Sequence, residues 1–114
     1  MKQTVAETTA FAAAAKKAGL TADEREAVID YLSDNPKAGD LIPGAGGARK
    51  LRWAVEGKGK SGGYRVITYF ADASIPVFLI SVYAKSQKTD LSGAERTTIR
   101  RIIGAINEAR KGNK

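Results

Sequence analysis

The sequence predicts an α+β fold with N-terminal helices, an antiparallel β-sheet of three to four strands and an amphipathic C-terminal helix. Helix start signals of the S/T-x-x-E type occur twice, at Thr21 and at Ser92. Between them lie three runs of strand-forming residues with short connectors, which favours neighbouring antiparallel strands. The 114 residues allow one domain, over residues 1–114, with a single modest core.

The N-terminal part predicts a short strand followed by two helices. The strand is expected around Thr4–Val5, and the alanine-rich run from Thr8 to Ala18 predicts a helix that ends at Gly19. A second helix begins after Thr21, where a capping box satisfies backbone N–H groups. Pro36 ends this helix, because proline cannot continue the hydrogen-bond ladder.

The central part predicts the sheet. Residues 40–48 contain a proline and three glycines and predict a loop. The strands that follow are expected at about Arg49–Val55, Tyr64–Phe70 and Val77–Tyr83. The third run is continuously apolar, which predicts a central strand covered on both faces.

The last segment predicts an amphipathic helix that begins with a capping box at Ser92 and Glu95. Its isoleucines follow the i, i+3, i+4, i+7 spacing of one helix face. These residues are Ile99, Ile102, Ile103 and Ile106. The opposite face carries three arginines, for which a solvated helix face is favoured over an RNA contact. They are Arg96, Arg100 and Arg101.

Composition restricts the possible functions. The absence of cysteine excludes disulfides and thiolate metal sites, and the absence of histidine removes the commonest metal ligand and general base. We therefore expect neither a metal nor a cofactor. No apolar run approaches the ~18 residues of a membrane span, and the N-terminus lacks the order of a secretory signal. These observations predict a cytoplasmic protein without a membrane partner.

Positive charge is concentrated in the later part of the chain. The net charge is +7, yet residues 1–36 carry four basic and six acidic side chains, whereas residues 37–114 carry fifteen basic and six acidic ones. From Arg49 to Arg65 there are six basic residues and one acidic residue. Strand alternation would place Lys50 and Arg52 on one face and Leu51 and Trp53 on the other. A cationic face backed by an apolar one suits a polyanion, and RNA or DNA is the first candidate.

The glycine-rich segment between these cations does not predict a nucleotide site. Residues 57–62 match G-x-G-x-x-G, but a strand follows the glycines, so no helix N-terminus would meet a pyrophosphate. A P-loop is excluded because Ala54 stands where its first glycine is required. The remaining alternatives are a soluble hairpin turn and a functional cationic turn. The second is favoured, because lysines in the turn are flanked by further cations on both strands.

Several segments together resemble the HigB-like branch of the RelE/ParE toxin superfamily. They are residues 40–52, residues 57–67, Tyr83-Ala-Lys85 and Asp90-Leu-Ser92, within a likeness that spans about residues 20–110. The resemblance implies a small α+β toxin that cleaves messenger RNA in the ribosomal A site as a ribosome-dependent endoribonuclease. It also implies contact with ribosomal RNA, and silencing by a cognate antitoxin that often carries a helix-turn-helix.

The resemblance also implies site residues. The family pattern has basic residues before the turn, an arginine after Gly-Tyr and a basic residue past the next strand. In this chain those positions are occupied by Lys50, Arg52, Arg65 and Lys85. Leu91 stands where RelE-type enzymes carry a tyrosine and some relatives a histidine, so the stacking aromatic is either missing or supplied by Tyr83. Residues expected to grip RNA are Arg49, Lys58, Lys60 and Lys88, with Tyr83 as a stacking candidate.

RNA carries its own nucleophile in the 2′-OH, so cleavage requires positioning and charge stabilisation and no metal. We assign Arg65 to the transition-state phosphate, Lys50 or Arg52 to activation of the 2′-OH, and Lys85 to the leaving oxygen. Crowding of Lys50 by other cations would disfavour its charged form and make it a usable base. Two alternatives stay open: a ParE-type toxin that inhibits DNA gyrase without cutting RNA, and a basic nucleic-acid-binding module.

Overall fold

The computed structural model describes residues 2–54 and 63–112. In chain order its elements are β1 (Val5–Glu7), α1 (Thr9–Ala18), α2 (Ala22–Asp34), β2 (Asp40–Leu41), β3 (Arg49–Trp53), β4 (Tyr64–Tyr69), β5 (Val77–Ala84) and α3 (Gly93–Gly112). This arrangement confirms the predicted α+β class with N-terminal helices, a sheet and a C-terminal helix. No helix in these two ranges is long and apolar enough to cross a membrane.

The helix boundaries follow the capping signals of the sequence. Thr8 is the N-cap of α1 and accepts a hydrogen bond from the Phe11 N–H, and Gly19 ends the helix with a φ of 80°. Thr21 and Glu24 form the predicted capping box of α2. The capping box of α3 forms as well: the Glu95 N–H donates to Ser92 Oγ at 3.1 Å, and the Ser92 N–H donates to Glu95 Oε1 at 2.8 Å.

The described strands form one sheet of five, in the order β1-β5-β4-β3-β2. The antiparallel pairing of β3, β4 and β5 is as predicted. Two short strands extend the sheet: β1 runs parallel to β5, and β2 is antiparallel to β3. The loop predicted for residues 40–48 therefore begins with a two-residue strand, which is too short to produce a periodic pattern. It is closed by the Ile42 N–H, which donates to the Ala48 carbonyl at 2.9 Å.

Two apolar layers cover the two faces of the sheet. On one face, Phe11 of α1 and Leu32 of α2 pack against Leu51 and Val66 in one cluster of buried residues. On the other face, α3 packs its isoleucines against Ile67 and Ile80 in a second cluster. The two layers confirm that β5 is a central strand covered on both faces, because it contributes Leu79 and Val82 to the first layer and Ile80 to the second.

An ion pair fastens the end of α3 to the β4–β5 connector. Arg110 donates to the Asp72 carboxylate and, at 3.1 Å, to Ser74 Oγ. Asp72 also accepts a hydrogen bond from the Ser74 N–H at 2.8 Å. Three hydrogen bonds lower the pKa of Asp72 from 3.8 to about 2. The one from the Ser74 side chain has the largest effect, the one from Arg110 the next largest, and the one from the Ser74 N–H comes third. The ionised carboxylate therefore stabilises the folded state.

We expect Asp72→Asn to lower the melting temperature at pH 6, where Asp72 is ionised in both states of the wild type. Because the folded-state pKa lies below the unfolded one, the advantage of the wild type is fully present above about pH 4 and is lost as the pH falls toward about 2. Melting curves of both proteins across this pH range test whether the difference in melting temperature shrinks as the pH falls. Asp30→Asn, which removes an exposed carboxylate of α2, is the control. A melting-temperature difference between the wild type and Asp72→Asn that grows at low pH would contradict the stabilising role of the ionised Asp72.

Candidate nucleic-acid interface

Three strands bring separate parts of the chain into one row of side chains. Arg52 of β3 pairs directly with Arg65 of β4, and Arg65 pairs directly with Tyr83 of β5. Directly paired residues place their side chains on the same face of an antiparallel sheet. Lys50 lies two positions before Arg52 and joins this face by alternation. The predicted separation of Lys50 and Arg52 from Leu51 and Trp53 is thus present in the structure.

Lys85 extends the same row beyond the end of β5. Its backbone N–H donates to the Gly63 carbonyl at 3.1 Å, so the pairing of the two strands continues past Ala84. Since Lys85 is two positions from Tyr83, alternation directs it to the same face. We call Lys50, Arg52, Arg65 and Lys85 the cationic face. It lies on the α3 side of the sheet, because Ile67, two positions from Arg65, packs against α3.

Three of these cations have no carboxylate partner in the part of the chain that the structure describes. Among residues 2–54 and 63–112, no ion pair includes Arg52, Arg65 or Lys85. Within the described part of the chain, the Arg65 guanidinium donates only to the neighbouring Tyr64 carbonyl, at 3.3 Å. Like charges directly opposite each other on paired strands destabilise a sheet. An anion bound between Arg52 and Arg65 would relieve this repulsion, so the pair is suited to a phosphate.

Lys50 is held by a carboxylate from the segment between β5 and α3. Its Nζ lies 3.3 Å from Asp90 Oδ1, and Asp90 Oδ2 lies 3.5 Å from a guanidinium nitrogen of Arg96. The backbone N–H of Leu91 donates to Asp90, and this bond together with the one from Lys50 lowers the pKa of Asp90. The carboxylate therefore stays ionised and links β3 to the first turn of α3.

The contact between Lys50 and Asp90 bears on the hypothesis that Lys50 acts as a base. Lys50 was expected to be surrounded by cations, but its ammonium is paired with Asp90. The crowding argument for Lys50 as a base therefore no longer holds. Forty residues separate the two partners, and no local pattern in the sequence signals their contact. Arg96, assigned to a solvated helix face, is likewise drawn into this cluster.

Tyr83 does not offer a stacking surface. Only 4% of the residue is exposed, and the Lys88 ammonium lies 4.9 Å from the centroid of its ring. Burial raises the pKa of its hydroxyl, which has no hydrogen-bond partner among the described residues. The expectation that Tyr83 stacks on a base is wrong for this conformation, because the strand end is covered by α3 and by the segment that precedes it.

Of the cations expected to grip RNA, Arg49 and Lys88 lie in the described part of the chain, and each has a partner within the protein. Arg49 is directed to the other face of β3 by alternation, and its guanidinium donates to the Gly39 carbonyl at 3.0 Å. Lys88 forms an ion pair with Glu95 of α3. Lys58 and Lys60 lie outside the described residues. Arg49 is therefore corrected to a residue that fastens β3 to the preceding loop.

Trp53 and Leu91 both pack against the apolar layers of the protein. Trp53 was expected on the apolar face of β3, and it packs against the α1 and α2 layer. Its ring lies edge to face with that of Tyr31, with the two ring centroids 5.6 Å apart. Leu91, which stands where the resemblance calls for a tyrosine or histidine, is 7% exposed and packs with the isoleucines of α3. Within residues 2–54 and 63–112, no group of acidic side chains is arranged to hold a metal ion.

Fold and site together define a small α+β protein whose antiparallel strands present a cationic face beside the start of the C-terminal helix. The chain matches the family model of the RelE toxin of the RelE/RelB toxin-antitoxin system over residues 3–113. It therefore belongs to this family of toxins. The family implies an antitoxin as partner, whereas the HigB-like branch within it stays a prediction.

Proposed function

We propose that this toxin is a ribosome-dependent endoribonuclease that cleaves messenger RNA in the ribosomal A site. The proposal depends on one observation, the direct pairing of Arg52 with Arg65 on a face that also carries Lys50 and Lys85. Neither arginine has a carboxylate partner among the described residues. Like charges at directly paired positions destabilise a sheet, and a phosphate bound between the two guanidinium groups would offset this cost.

Cleavage would proceed by attack of the 2′-OH on the adjacent phosphorus, with departure of the 5′-oxygen. The 2′-OH would give its proton to solvent water as the bond from the 2′-oxygen to phosphorus forms and a 2′,3′-cyclic phosphate results. The bond between phosphorus and the 5′-oxygen would break, and the departing oxygen would take a proton from the Lys85 ammonium, which water then reprotonates. Arg65 would stabilise the extra negative charge on the phosphate oxygens, because a guanidinium donates two parallel hydrogen bonds. Lys85, at the end of the row, would face the departing oxygen.

Lys50 and Arg52 would position the 2′-OH and favour its ionisation. A hydrogen bond from the Lys50 ammonium to the hydroxyl oxygen stabilises the developing negative charge. Asp90 would act as a positioning residue, because its ion pair holds the flexible lysine side chain. In this scheme the protein contributes alignment and charge, and messenger RNA, ribosomal RNA and an antitoxin, proposed to be of the helix-turn-helix type, are its partners.

Mapping of RNA ends in cells tests this proposal. We expect induction of the toxin to produce discrete new 5′ ends within translated messages, detected by primer extension. With purified ribosomes, the same ends should form at an unchanged rate in EDTA-containing buffer once ribosome integrity is maintained by polyamines. Cleavage that is lost with the chelator under these conditions would contradict a mechanism carried by side chains alone.

A gyrase inhibitor is the second candidate, and the burial of Leu91 favours it. The position where the family carries an aromatic is closed inside the α3 layer, so the described part of the cationic face offers no stacking platform. Supercoiling assays separate the two functions. Blocked supercoiling without new RNA ends would indicate the gyrase inhibitor, and the reverse result would indicate the nuclease.

A further inference from the structure

Two buried side-chain donors beside the cationic face form no hydrogen bond within the described part of the chain. They are the hydroxyl of Tyr83 and Nε of Arg96, which we call the two buried donors. Tyr83 as a whole is only 4% exposed. A buried donor without an acceptor destabilises the folded protein, and native proteins seldom retain one without a reason. An acceptor that reaches both donors would therefore be stabilised there.

The carboxylate of Asp90 is the acceptor that interacts with both residues. Its Oδ2 lies 3.5 Å from a terminal nitrogen of Arg96, the guanidinium whose Nε is one of the two buried donors. Burial raises the pKa of the Tyr83 hydroxyl, and the charge of Asp90 is the next largest cause. A neighbouring anion favours the neutral form of a hydroxyl. Tyr83 therefore remains a hydrogen-bond donor within the field of this carboxylate.

In the structure, however, Asp90 is directed at Lys50. Its Oδ1 lies 3.3 Å from the Lys50 ammonium, in an ion pair whose lysine and aspartate side chains are 31% and 53% exposed. Ion pairs as exposed as this one contribute little net free energy, because water and dissolved ions compete for both partners. The contact is therefore weak enough to be exchanged when another anion binds the lysine.

We propose that Asp90 releases Lys50 when RNA binds to the cationic face, and turns to the two buried donors instead. A phosphate of the RNA would attract the Lys50 ammonium, which lies on this face. The released carboxylate would then accept hydrogen bonds from the Tyr83 hydroxyl and from Arg96. In this scheme Tyr83 is a positioning residue, because it holds Asp90 and does not touch the RNA.

The exchange would reduce the repulsion between the protein and its RNA. An ionised carboxylate beside bound RNA repels the phosphates. Hydrogen bonds from a hydroxyl and a guanidinium would compensate the charge of Asp90 from the buried side. The inference rests on the proposed function for its trigger, the RNA, whereas the exchange of partners depends on the protein alone.

Melting temperatures of four proteins test the exchange without RNA. The proteins are the wild type, Tyr83→Phe, Lys50→Met and the double variant. With Lys50 present, Tyr83→Phe removes a hydroxyl that has no partner, so the melting temperature should stay the same or rise slightly. Lys50→Met removes the ammonium and frees Asp90 to accept from Tyr83. In this background, Tyr83→Phe should lower the melting temperature by about 4 °C or more. The same effect of Tyr83→Phe in both backgrounds would overturn the proposal.

Binding to ribosomes tests the trigger. The probe is a ribosome whose A-site codon carries 2′-O-methyl groups, so that the message cannot be cleaved. We expect Tyr83→Phe to weaken binding of the toxin by about three- to tenfold. The matched control is Tyr64→Phe, which removes a buried hydroxyl on the other side of the sheet, where it donates to the Gly19 carbonyl at 3.3 Å. This variant should melt at a lower temperature but bind within about twofold of the wild type.

The two experiments fail in different ways. Equal binding by the wild type and Tyr83→Phe would overturn the link between the exchange and RNA. A wild type that does not bind these ribosomes would contradict the proposed function. The melting temperatures would still decide whether Asp90 exchanges its partners, because they require neither RNA nor cleavage.

Discussion

Replacing Arg65 by alanine is expected to reduce RNA cleavage by about 10²–10³-fold, the usual effect of removing one preorganised donor from a transition state. Arg65 lies at the centre of the row, between Arg52 on β3 and Tyr83 on β5. Within the described residues its guanidinium forms no ion pair and donates only to the Tyr64 carbonyl. It is therefore available for the phosphate.

The same surroundings predict that the variant folds normally. Removal of Arg65 breaks no ion pair found among the described residues, and it relieves the repulsion from Arg52 on the neighbouring strand. The melting temperature should be unchanged or slightly higher. A loss of activity combined with unchanged stability separates a role in the reaction from a structural role.

First-order cleavage rates on programmed ribosomes measure the effect, with Arg101→Ala as the control. Arg101 is an exposed arginine on α3 and is not part of the cationic face. Arg101→Ala therefore removes one positive charge, as Arg65→Ala does, but should change the cleavage rate by less than about threefold. Arg65→Lys should retain part of the activity, because it keeps the charge but loses the two parallel hydrogen bonds. An Arg65→Ala variant that cleaves at the wild-type rate would exclude the proposed site.

The sequence predicted those parts of the fold that short-range signals determine. The capping boxes at Thr21 and Ser92 and the glycine stop at Gly19 concern residues within three or four positions of each other, and each is present as expected. The parallel pairing of β1 with β5 links residues more than seventy positions apart. Such a contact depends on tertiary packing, which no local pattern encodes.

The candidate site also has features that local sequence patterns predict and others that depend on tertiary packing. Alternation was sufficient to place Lys50 and Arg52 together, because side-chain direction in a strand is a local property. The same rule should have set Arg49 apart from them, since it is one position from Lys50. The register that brings Arg52 opposite Arg65, and the contact of Lys50 with Asp90, depend on how whole strands and α3 are arranged. Burial of Tyr83 is likewise decided by what packs over the strand end.

Replacing Gly63 by alanine is expected to disturb stability and activity together. Gly63 has a φ of 91°, and a Cβ at this position would lie 2.4 Å from the Trp53 carbonyl oxygen. The backbone conformation alone costs an L-residue roughly 1–3 kcal/mol, and the overlap with a backbone atom adds to that cost. Because Gly63 also accepts the hydrogen bond from Lys85, relief of the overlap would move the strand ends that carry Arg52 and Lys85.

Gly104→Ala is the matched control, because a Cβ at this position of α3 meets no atom within 4 Å. Alanine is a better helix former than glycine, so this variant should gain about 0.5–1 kcal/mol. Urea denaturation gives both free energies of unfolding, and cleavage rates measured well below the transition show whether the folded Gly63→Ala protein is also impaired. A Gly63→Ala variant with wild-type stability would contradict the close approach of β3 and β4 at this residue. Normal cleavage by a destabilised variant would show that the spacing of Arg52 and Lys85 does not limit the reaction.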